Sequence, residues 1–271
     1  MKLFSIITVN YNNATGLQKT MQSVFGQSFT DFEFIVIDGG SEDGSKLLLE
    51  TNSSTITYWV SEKDTGIYNA MNKGIKASKG DYLFFLNSGD TLHDAFVLKN
   101  AAPYLKQSEL IYGNLLIAEP ARKWVKKYNE KLSLEYFTRD TLPHQGSFIH
   151  RALFERFGLY DETLKIVADW KFFLEAICKY NVRALYIDQV ISSYDYTGIS
   201  SRPEFYALQA HEKRTVLAKL FPLQIDSIYE LHALRERKQY FDSFEKDLFV
   251  QKYFGLKLRW KALKKKILKR G

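Results

Sequence analysis

The chain is short of the residues that carry several large function classes. It has one cysteine, Cys178, among 271 residues. That excludes a disulfide framework and points to a reducing compartment. Cys178 lies in the apolar run FFLEAICKY, where a buried structural thiol is a better reading than a nucleophile. Five prolines and 15 glycines exclude collagen-like and low-complexity chains. No stretch approaches the ~20 consecutive apolar residues of a spanning helix. The opening, MKLFSIITVNYNN, has a single lysine and no small-residue cleavage site, and SIITV reads as a strand rather than a signal core. A G-x-G-x-x-G after the first strand and a G-x-x-x-x-G-K-[ST] are both missing, which disfavours dinucleotide dehydrogenases and P-loop NTPases. There is also no H-E-x-x-H, C-x-x-C or G-x-S-x-G.

Charge is present but unevenly placed. The formal net charge is +7, yet residues 257–271 hold eight cations and no acid, leaving 30 basic against 31 acidic side chains in the rest. The body is neutral and the tail is basic, so an anionic partner is expected for the tail alone. Leu256, Trp260, Leu263 and Ile267 recur at intervals of four, three and four among those cations. This is the pattern of an amphipathic helix lying on an anionic membrane surface. A nucleic-acid-binding tail is disfavoured by the neutral body and the unbroken apolar stripe, and a disordered solubilising tail is the plain alternative.

The first 90 residues repeat a strand–helix rhythm. Strands are expected at 3–9, 32–40, 56–62 and 81–90, with helices between them. The helix at 66–78 places Ile67, Ala70, Met71 and Ile75 on one face. Alternating strands and helices imply a mainly parallel sheet covered on both faces. Beyond residue 100, segments 109–118 and 121–128 read as strands of a possible hairpin, and 169–181 as a helix with Asp169 as its N-cap. Segment 183–196 reads as one or two strands. From Pro203 the chain is helical. TGISSRP supplies linker chemistry, so the division is expected near residue 200, with domains at 1–200 and 201–271.

In an open α/β sheet, ligands bind beyond the carboxyl ends of the strands. Here those ends carry Thr8-Val9-Asn10-Tyr11, Asp38-Gly39-Gly40-Ser41, Ser61-Glu62-Lys63-Asp64 and Asn87-Ser88-Gly89-Asp90. Each carboxylate alone would serve as a cap for the helix after it. Several at one crevice favour a hard divalent cation bridging a diphosphate.

SIITVNYNNATGLQKTMQSVFGQSFTDFEFIVIDGGSEDGS, continued by SEKDTGIYNAMNKGIKASKGDYLFFLNSGD, resembles the opening of family 2 glycosyltransferases, which have the GT-A fold. PHQGSFIHRALFERFGLYDE and VADWKFFLEAI are similar to that family's acceptor-side segments, and the likeness covers roughly residues 3–196. The resemblance implies an α/β fold with a mostly parallel central sheet flanked by helices, and then a helical C-terminal extension. It implies that Thr8, Asn10 and Tyr11 line the nucleotide pocket, that Asp38 reads the base, usually uracil, and that Asp64 lies near the ribose and diphosphate. Ser88 falls in the family's D-x-D-like motif, and Asp90 matches its final metal-binding acid. Asp169 matches the catalytic base, and His144, Gln145 and Trp170 fall on the acceptor and diphosphate side. The sequence departs from the pattern at Asn87, where an acid is usual, and at Ala168, where Glu is usual.

The resemblance further implies an inverting, Mg²⁺- or Mn²⁺-dependent transfer from a nucleotide-sugar, a UDP-sugar, to a lipid-linked or saccharide acceptor. The expected setting is bacterial surface-polysaccharide assembly, in the cytoplasm and peripheral on the inner face of the membrane. Two other readings stand beside it. A nucleotidyltransferase would need a basic glycine-rich loop where this chain has NYNNATG. A catalytically inactive GT-A subunit would suit the changes at Asn87 and Ala168.

Overall fold

The computed structural model describes residues 2–119, 122–128, 131–195, 198, 201–246, 252 and 255–256. Strand β1 (Phe4–Asn10) is buried at every position, as suits a predominantly apolar, β-rich sequence in a strand covered on both faces. It pairs in parallel with β2 (Phe32–Asp38) and β4 (Tyr82–Phe85), and β2 pairs in parallel with β3 (Tyr58–Ser61). The register sets Asn10 beside Asp38 and Asp38 beside Ser61, which collects their side chains at the carboxyl edge. The crossovers run through α1 (Ala14–Phe25), α2 (Ser45–Thr51) and α3 (Ile67–Ala77).

Alternation along β1 divides the core. Phe4 and Ile6 join Leu17, Met21 and Val24 of α1 on one face. Ile7 points to the other, where a Cβ on Gly74 of α3 would stand 2.4 Å from its Cγ2. Only glycine lets α3 lie this close to the strand. The buried face of α3 includes Tyr68, Ala70, Met71, Asn72 and Ile75. Tyr68 takes the inward place expected for Ile67, which is half-buried.

The parallel arrangement holds through β4, and beyond it the sheet is mixed. After the two-residue strand β5 (Thr91–Leu92) and α4 (Val97–Leu105), β6 (Leu110–Ala118) and β7 (Lys123–Lys126) form the expected antiparallel pair. After α5 (Leu134–Arg139), β8 (Ser147–His150) enters antiparallel between β4 and β6. The segment 183–196 forms one strand, β9 (Ala184–Asp195), parallel to β6, and β5 pairs antiparallel with its end. The strand order is β3-β2-β1-β4-β8-β6-β9-β5, with β7 beside β6. β4 stops at Phe85, short of the expected 81–90, because the chain turns out of the ladder at Asn87–Asp90 with Gly89 at φ +107°.

Aromatic rings seat the segment that carries Asp169. Phe154 of α6 (Arg151–Phe157) stacks on Phe172 of α7 (Ala168–Leu174), with ring centroids 4.5 Å apart. The Tyr160 ring meets Phe85, Phe154 and Phe172. Burying each such side chain contributes ~1.5–3 kcal/mol. The expected N-cap role of Asp169 is corrected. Val167 holds the N-cap position, α7 begins at Ala168, and Asp169 lies in the first turn, because side-chain donors from other elements take its carboxylate. α7 gives way to a π-helical turn, Glu175–Lys179. Cys178 lies there, half-buried, and burial pushes its thiol up to about 11.

The chain forms two compact units, divided between Arg214 and Thr215. The first takes in the start of α8 (Tyr206–Leu220), and the second includes α9 (Ile225–Lys246). Among the described residues, no helix is long and apolar enough to cross a membrane. Leu256 is exposed. Trp260, Leu263, Ile267 and the eight cations of 257–271 lie outside the described residues.

Candidate functional site

The ends of β1, β2 and β3 build one wall of the site. Asp38 is fully buried, and its carboxylate collects donors from three segments. Asn10 Nδ2 (2.6 Å) and the Ser41 hydroxyl (2.6 Å) meet Oδ1, while the Ser41 N–H (2.9 Å) and the Ser61 hydroxyl (2.6 Å) meet Oδ2. Burial alone would raise its pKa, but the donors from Ser41, Ser61 and Asn10 outweigh it and hold the carboxyl below the usual range. Asp38 thus ties together the strand ends and the Gly39–Ser41 turn. Thr8 lies beneath, fully buried, and donates to the Leu86 carbonyl at 2.7 Å. The Asn10 amide oxygen is buried without a hydrogen-bond partner among the described residues.

Above this floor Tyr11 is 69% exposed. A Cβ on Gly39 would stand 3.1 Å from the Tyr11 ring and 3.3 Å from Asp64 Oδ2, so these three residues meet. Asp64 is held by Lys73 of α3 at 2.6 Å, and Lys73 also takes Glu62 at 2.7 Å. An exposed aromatic ring beside a hydrogen-bonding turn and a carboxylate is suited to stacking a base and bonding a ribose.

The Asn87–Asp90 turn builds the centre. Thr20 of α1 pins it, donating to the Asp90 carbonyl at 2.7 Å and accepting the Gly89 N–H at 3.0 Å. The Ser88 N–H donates to the Val9 carbonyl (3.1 Å), and the Ser88 carbonyl accepts from Asn13 Nδ2 (3.1 Å). Ser88 thus couples the turn to the loop after β1. From Asn87 a chain of contacts runs inward. Asn87 Nδ2 meets His144 Nε2 at 3.2 Å, His144 Nδ1 meets Asp169 Oδ2 at 2.8 Å, and the Tyr68 hydroxyl meets Asp169 Oδ1 at 2.8 Å. Burial would raise the Asp169 pKa, but the hydrogen bonds and charge of His144, with Tyr68, hold it lowered. Gln145 and Trp170 are buried structural members. The Gln145 carbonyl accepts from the Ser192 hydroxyl, and the Trp170 indole donates to the Phe137 carbonyl at 2.9 Å.

Three participants had no clear signal in the sequence. Tyr68 reads as one more apolar position on a helical face. Glu212 of α8 is buried, and its two oxygens accept the N–H groups of Lys165 (2.7 Å) and Ile166 (3.1 Å), four and three residues before Asp169. Lys213 sits over the Trp170 ring, 5.3 Å from its centroid. Burial lowers its pKa against the opposing pull of Asp140 and Asp169. Helix α8 therefore clamps the segment that carries Asp169, although residues past 200 read as a separate extension.

Asp90 is the residue to test against a metal. Its carboxylate is buried and accepts the Asp195 N–H at 2.8 Å. Burial first, and the Asp195 charge in addition, push its pKa up to about 7, against the opposing pull of that N–H and His144. A Cβ on Gly89 would lie 3.1 Å from Asp195 Oδ2, which places this second carboxylate against the same turn. Among the described residues, no group of three or more His, Cys, Asp and Glu side chains could by itself hold an ion. A Mg²⁺-type ion is held by one or two carboxylates and completes its octahedron with phosphates and waters. A desolvated carboxylate with a second one beside it fits that demand.

The sheet order with its mixed far half, and acids and hydroxyls gathered at the strand ends, define a GT-A-like α/β fold. The family described as Glycosyl transferase family 2 matches residues 5–160, and the chain belongs to that family. It is 29% identical over 216 residues to a PGL/p-HBAD biosynthesis glycosyltransferase of Mycobacterium bovis, covering 73% of this chain and 79% of the relative. It is 34% identical over 214 residues to an uncharacterised glycosyltransferase of Mycobacterium tuberculosis, covering 74% and 78%. Among solved structures it is similar to S. aureus TarS 1–349 in complex with UDP-GlcNAc, with a TM-score of 0.59, 18% identity and coverage of 83% and 73%. It is also similar to a Pyrobaculum calidifontis mannosyltransferase in complex with GDP-Man and Mn²⁺, with a TM-score of 0.54, 14% identity and coverage of 93% and 82%.

Proposed function

We propose that the protein transfers a sugar, with inversion, from a UDP-sugar to a hydroxyl of a lipid-linked or saccharide acceptor in bacterial surface-polysaccharide assembly. The observation that carries this reading is the Asn87–His144–Asp169–Tyr68 chain, which joins the turn bearing Asp90 to an ionised, buried carboxylate. Inversion needs one displacement, and so one group that accepts the acceptor's proton on the face opposite the leaving diphosphate. The Asp169–His144 pair supplies the charge for it.

Tyr11, Gly39 and Asp64 form the nucleoside end of the donor pocket, with Asp38 holding the turn in place. Asp90, with Asp195 beside it, would hold a divalent cation, which when bound neutralises the leaving diphosphate. The donors bound in the TarS and Pyrobaculum calidifontis structures are nucleotide-sugars, and the mycobacterial relative is named a PGL/p-HBAD biosynthesis glycosyltransferase. Both support the substrate class. The basic tail, together with the exposed Leu234, Tyr240 and Phe241 of α9, supports attachment to an anionic membrane surface at the cytoplasmic side.

UDP release from UDP-GlcNAc, UDP-GalNAc, UDP-glucose and UDP-galactose in the presence of Mn²⁺, with water as acceptor, tests the reading. One of the four is expected to turn over. UDP binding with no turnover of any of them would favour an inactive binding subunit.

A further inference from the structure

Lys213 is a cation that sugar transfer as described leaves unused, and its surroundings ask for an anion. Four elements converge on it. From α8 it sits over the Trp170 ring of α7, 5.3 Å from its centroid. The charges of Asp140, at the end of α5, of Asp169 in α7 and of Lys126 in β7 all act on it. Both acids are engaged elsewhere. Asp140 pairs with Lys126, whose Nζ lies 3.0 Å from Oδ1 and 2.9 Å from Oδ2, and Asp169 faces His144 Nδ1 at 2.8 Å. Among the described residues the Lys213 ammonium has no hydrogen-bond acceptor and no ion-pair partner. The side chain is half-buried, and burial lowers its pKa. An ammonium taken out of water and left unpaired is costly. The face of one aromatic ring offsets part of that cost, and a bound anion would offset more. Lys126 repeats the arrangement, with its Nζ 4.7 Å from the centroid of the Tyr128 ring and its side chain 38% exposed.

We propose that Lys213 and Lys126 bind a phosphate group carried by the acceptor. The assignment rests on the glycosyltransfer reading above and narrows its acceptor to a phosphorylated one. Two ammonium groups stand against the single charge of Asp140, so this part of the site keeps a positive excess. A phosphate monoester carries roughly −1.5 to −2 charges near neutral pH and has three acceptor oxygens, enough to face both lysines at once. The donor types point the same way. A planar arginine fork matches a carboxylate through two parallel bonds, whereas lysine serves a phosphate as a compact point charge. The pair also flanks the reaction centre. Trp170, beneath Lys213, follows Asp169 in the first turn of α7. Glu212, one residue before Lys213, holds the Lys165 and Ile166 N–H groups of the segment that leads to Asp169. One helix therefore fixes that segment and carries the cation. An acceptor seated by its phosphate on Lys213 has its attacking hydroxyl placed with respect to Asp169. A lipid phosphate and a phosphorylated saccharide present the same group to the two lysines.

Competition labelling of the full chain reads the site residue by residue. The protein, with UDP and Mg²⁺ filling the donor pocket, is acetylated with acetic anhydride, and each lysine is followed by mass spectrometry. sn-Glycerol 3-phosphate is the water-soluble phosphate ester and octyl phosphate the lipid one, with glycerol and octanol as their neutral counterparts. Labelling of Lys213 should slow about fivefold at a phosphate-ester concentration roughly four times its dissociation constant. Lys126 should slow with it, the exposed Lys46 should not, and the neutral counterparts should change nothing. Protection by both esters or by either one supports the site: octyl phosphate alone assigns a lipid-linked acceptor, glycerol phosphate alone a phosphorylated saccharide. Asp140→Asn keeps an oxygen for the Thr141 N–H and removes the opposing charge, so it should tighten the ester, a gain that a packing role for the lysines does not give. Lys213 labelled at the same rate with and without the esters, or slowed no more than Lys46, overturns the assignment while leaving the glycosyltransfer reading in place. Binding to Asp140→Asn that is no tighter than to wild type overturns it as well. Should Asp140→Asn fail to fold, the wild-type labelling decides alone. Wild-type protein that releases UDP from none of the four donors above overturns the parent reading, and the acceptor assignment falls with it.

Discussion

Replacing Asp90 by Asn should make the protein more stable and less active. The Asp90 carboxyl is buried, and its pKa stands at about 7 against an ordinary 3.8. A carboxyl raised in this way suits the fold while protonated. Its favourable share is complete below about pH 4 and is lost as the pH climbs through 7. Each tenfold change in proton affinity corresponds to about 1.36 kcal/mol, so ionising Asp90 in the folded protein at pH 8 costs at most ~4 kcal/mol. Asn keeps an oxygen for the Asp195 N–H at the same reach and removes the charge. If half of that ceiling is realised, at ~2–4 °C per kcal/mol for a unit of this size, Tm should rise by roughly 4–8 °C at pH 8. The gain should shrink by more than half at pH 5, where most of the wild-type carboxyl is already protonated. Mg²⁺ should raise the wild-type Tm at pH 8 and leave Asp90→Asn unmoved, and UDP release should be lost in the variant. Calorimetric melting at pH 5 and pH 8, with and without Mg²⁺, makes the comparison. An Asn variant that melts with or below wild type at pH 8 would refute both the desolvation of Asp90 and the demand for a cation derived from it.

Asp38→Ala strips the acceptor from the Asn10, Ser41 and Ser61 donors. UDP binding by calorimetry should weaken by at least about tenfold as the Gly39–Ser41 turn loses its anchor, and unchanged affinity would show that the Gly39–Ser41 turn does not touch the nucleotide. Glu212→Ala frees the Lys165 and Ile166 N–H groups. The rate of UDP release should fall by at least tenfold while UDP affinity stays put, and a wild-type rate would mean that α8 does not hold the Asp169 segment in place. Deleting residues 255–271 should leave UDP binding intact and abolish co-sedimentation with anionic vesicles. Each tail cation contributes ~1 kcal/mol at most, less in salt, and equal sedimentation of the two chains would move the membrane contact to α9.

The first half of the fold was legible because its signals are local. A strand buried on both faces has to be largely apolar, and β1 and β2 are, apart from Ser5, Thr8 and Asn10 in the first and Glu33 and Asp38 in the second. A short turn has to carry glycine and polar residues, and Asp38–Ser41 and Asn87–Asp90 do. The residue types of the site were legible for the same reason, since strand ends in such a sheet are where polar side chains gather. The far half was harder. β8 is four residues long, and its antiparallel place between β4 and β6 is settled by pairing across more than 30 residues of chain, which no local period encodes. The partnerships inside the site were hidden in the same way. Tyr68 and Asp169 are 101 residues apart, and Glu212 and Ile166 are 46 apart. A tyrosine at a helical apolar interval looks like core until the element opposite it is known, and a glutamate on a late helix looks like solvent-facing charge. Sequence alone determined the strand–helix rhythm, the polar strand ends and the segregation of charge into the tail, because each is written in spacing or composition. Tertiary structure decided which carboxylate is paired, which is desolvated and which faces an imidazole, because burial and hydrogen-bond partners are properties of what lies across the fold.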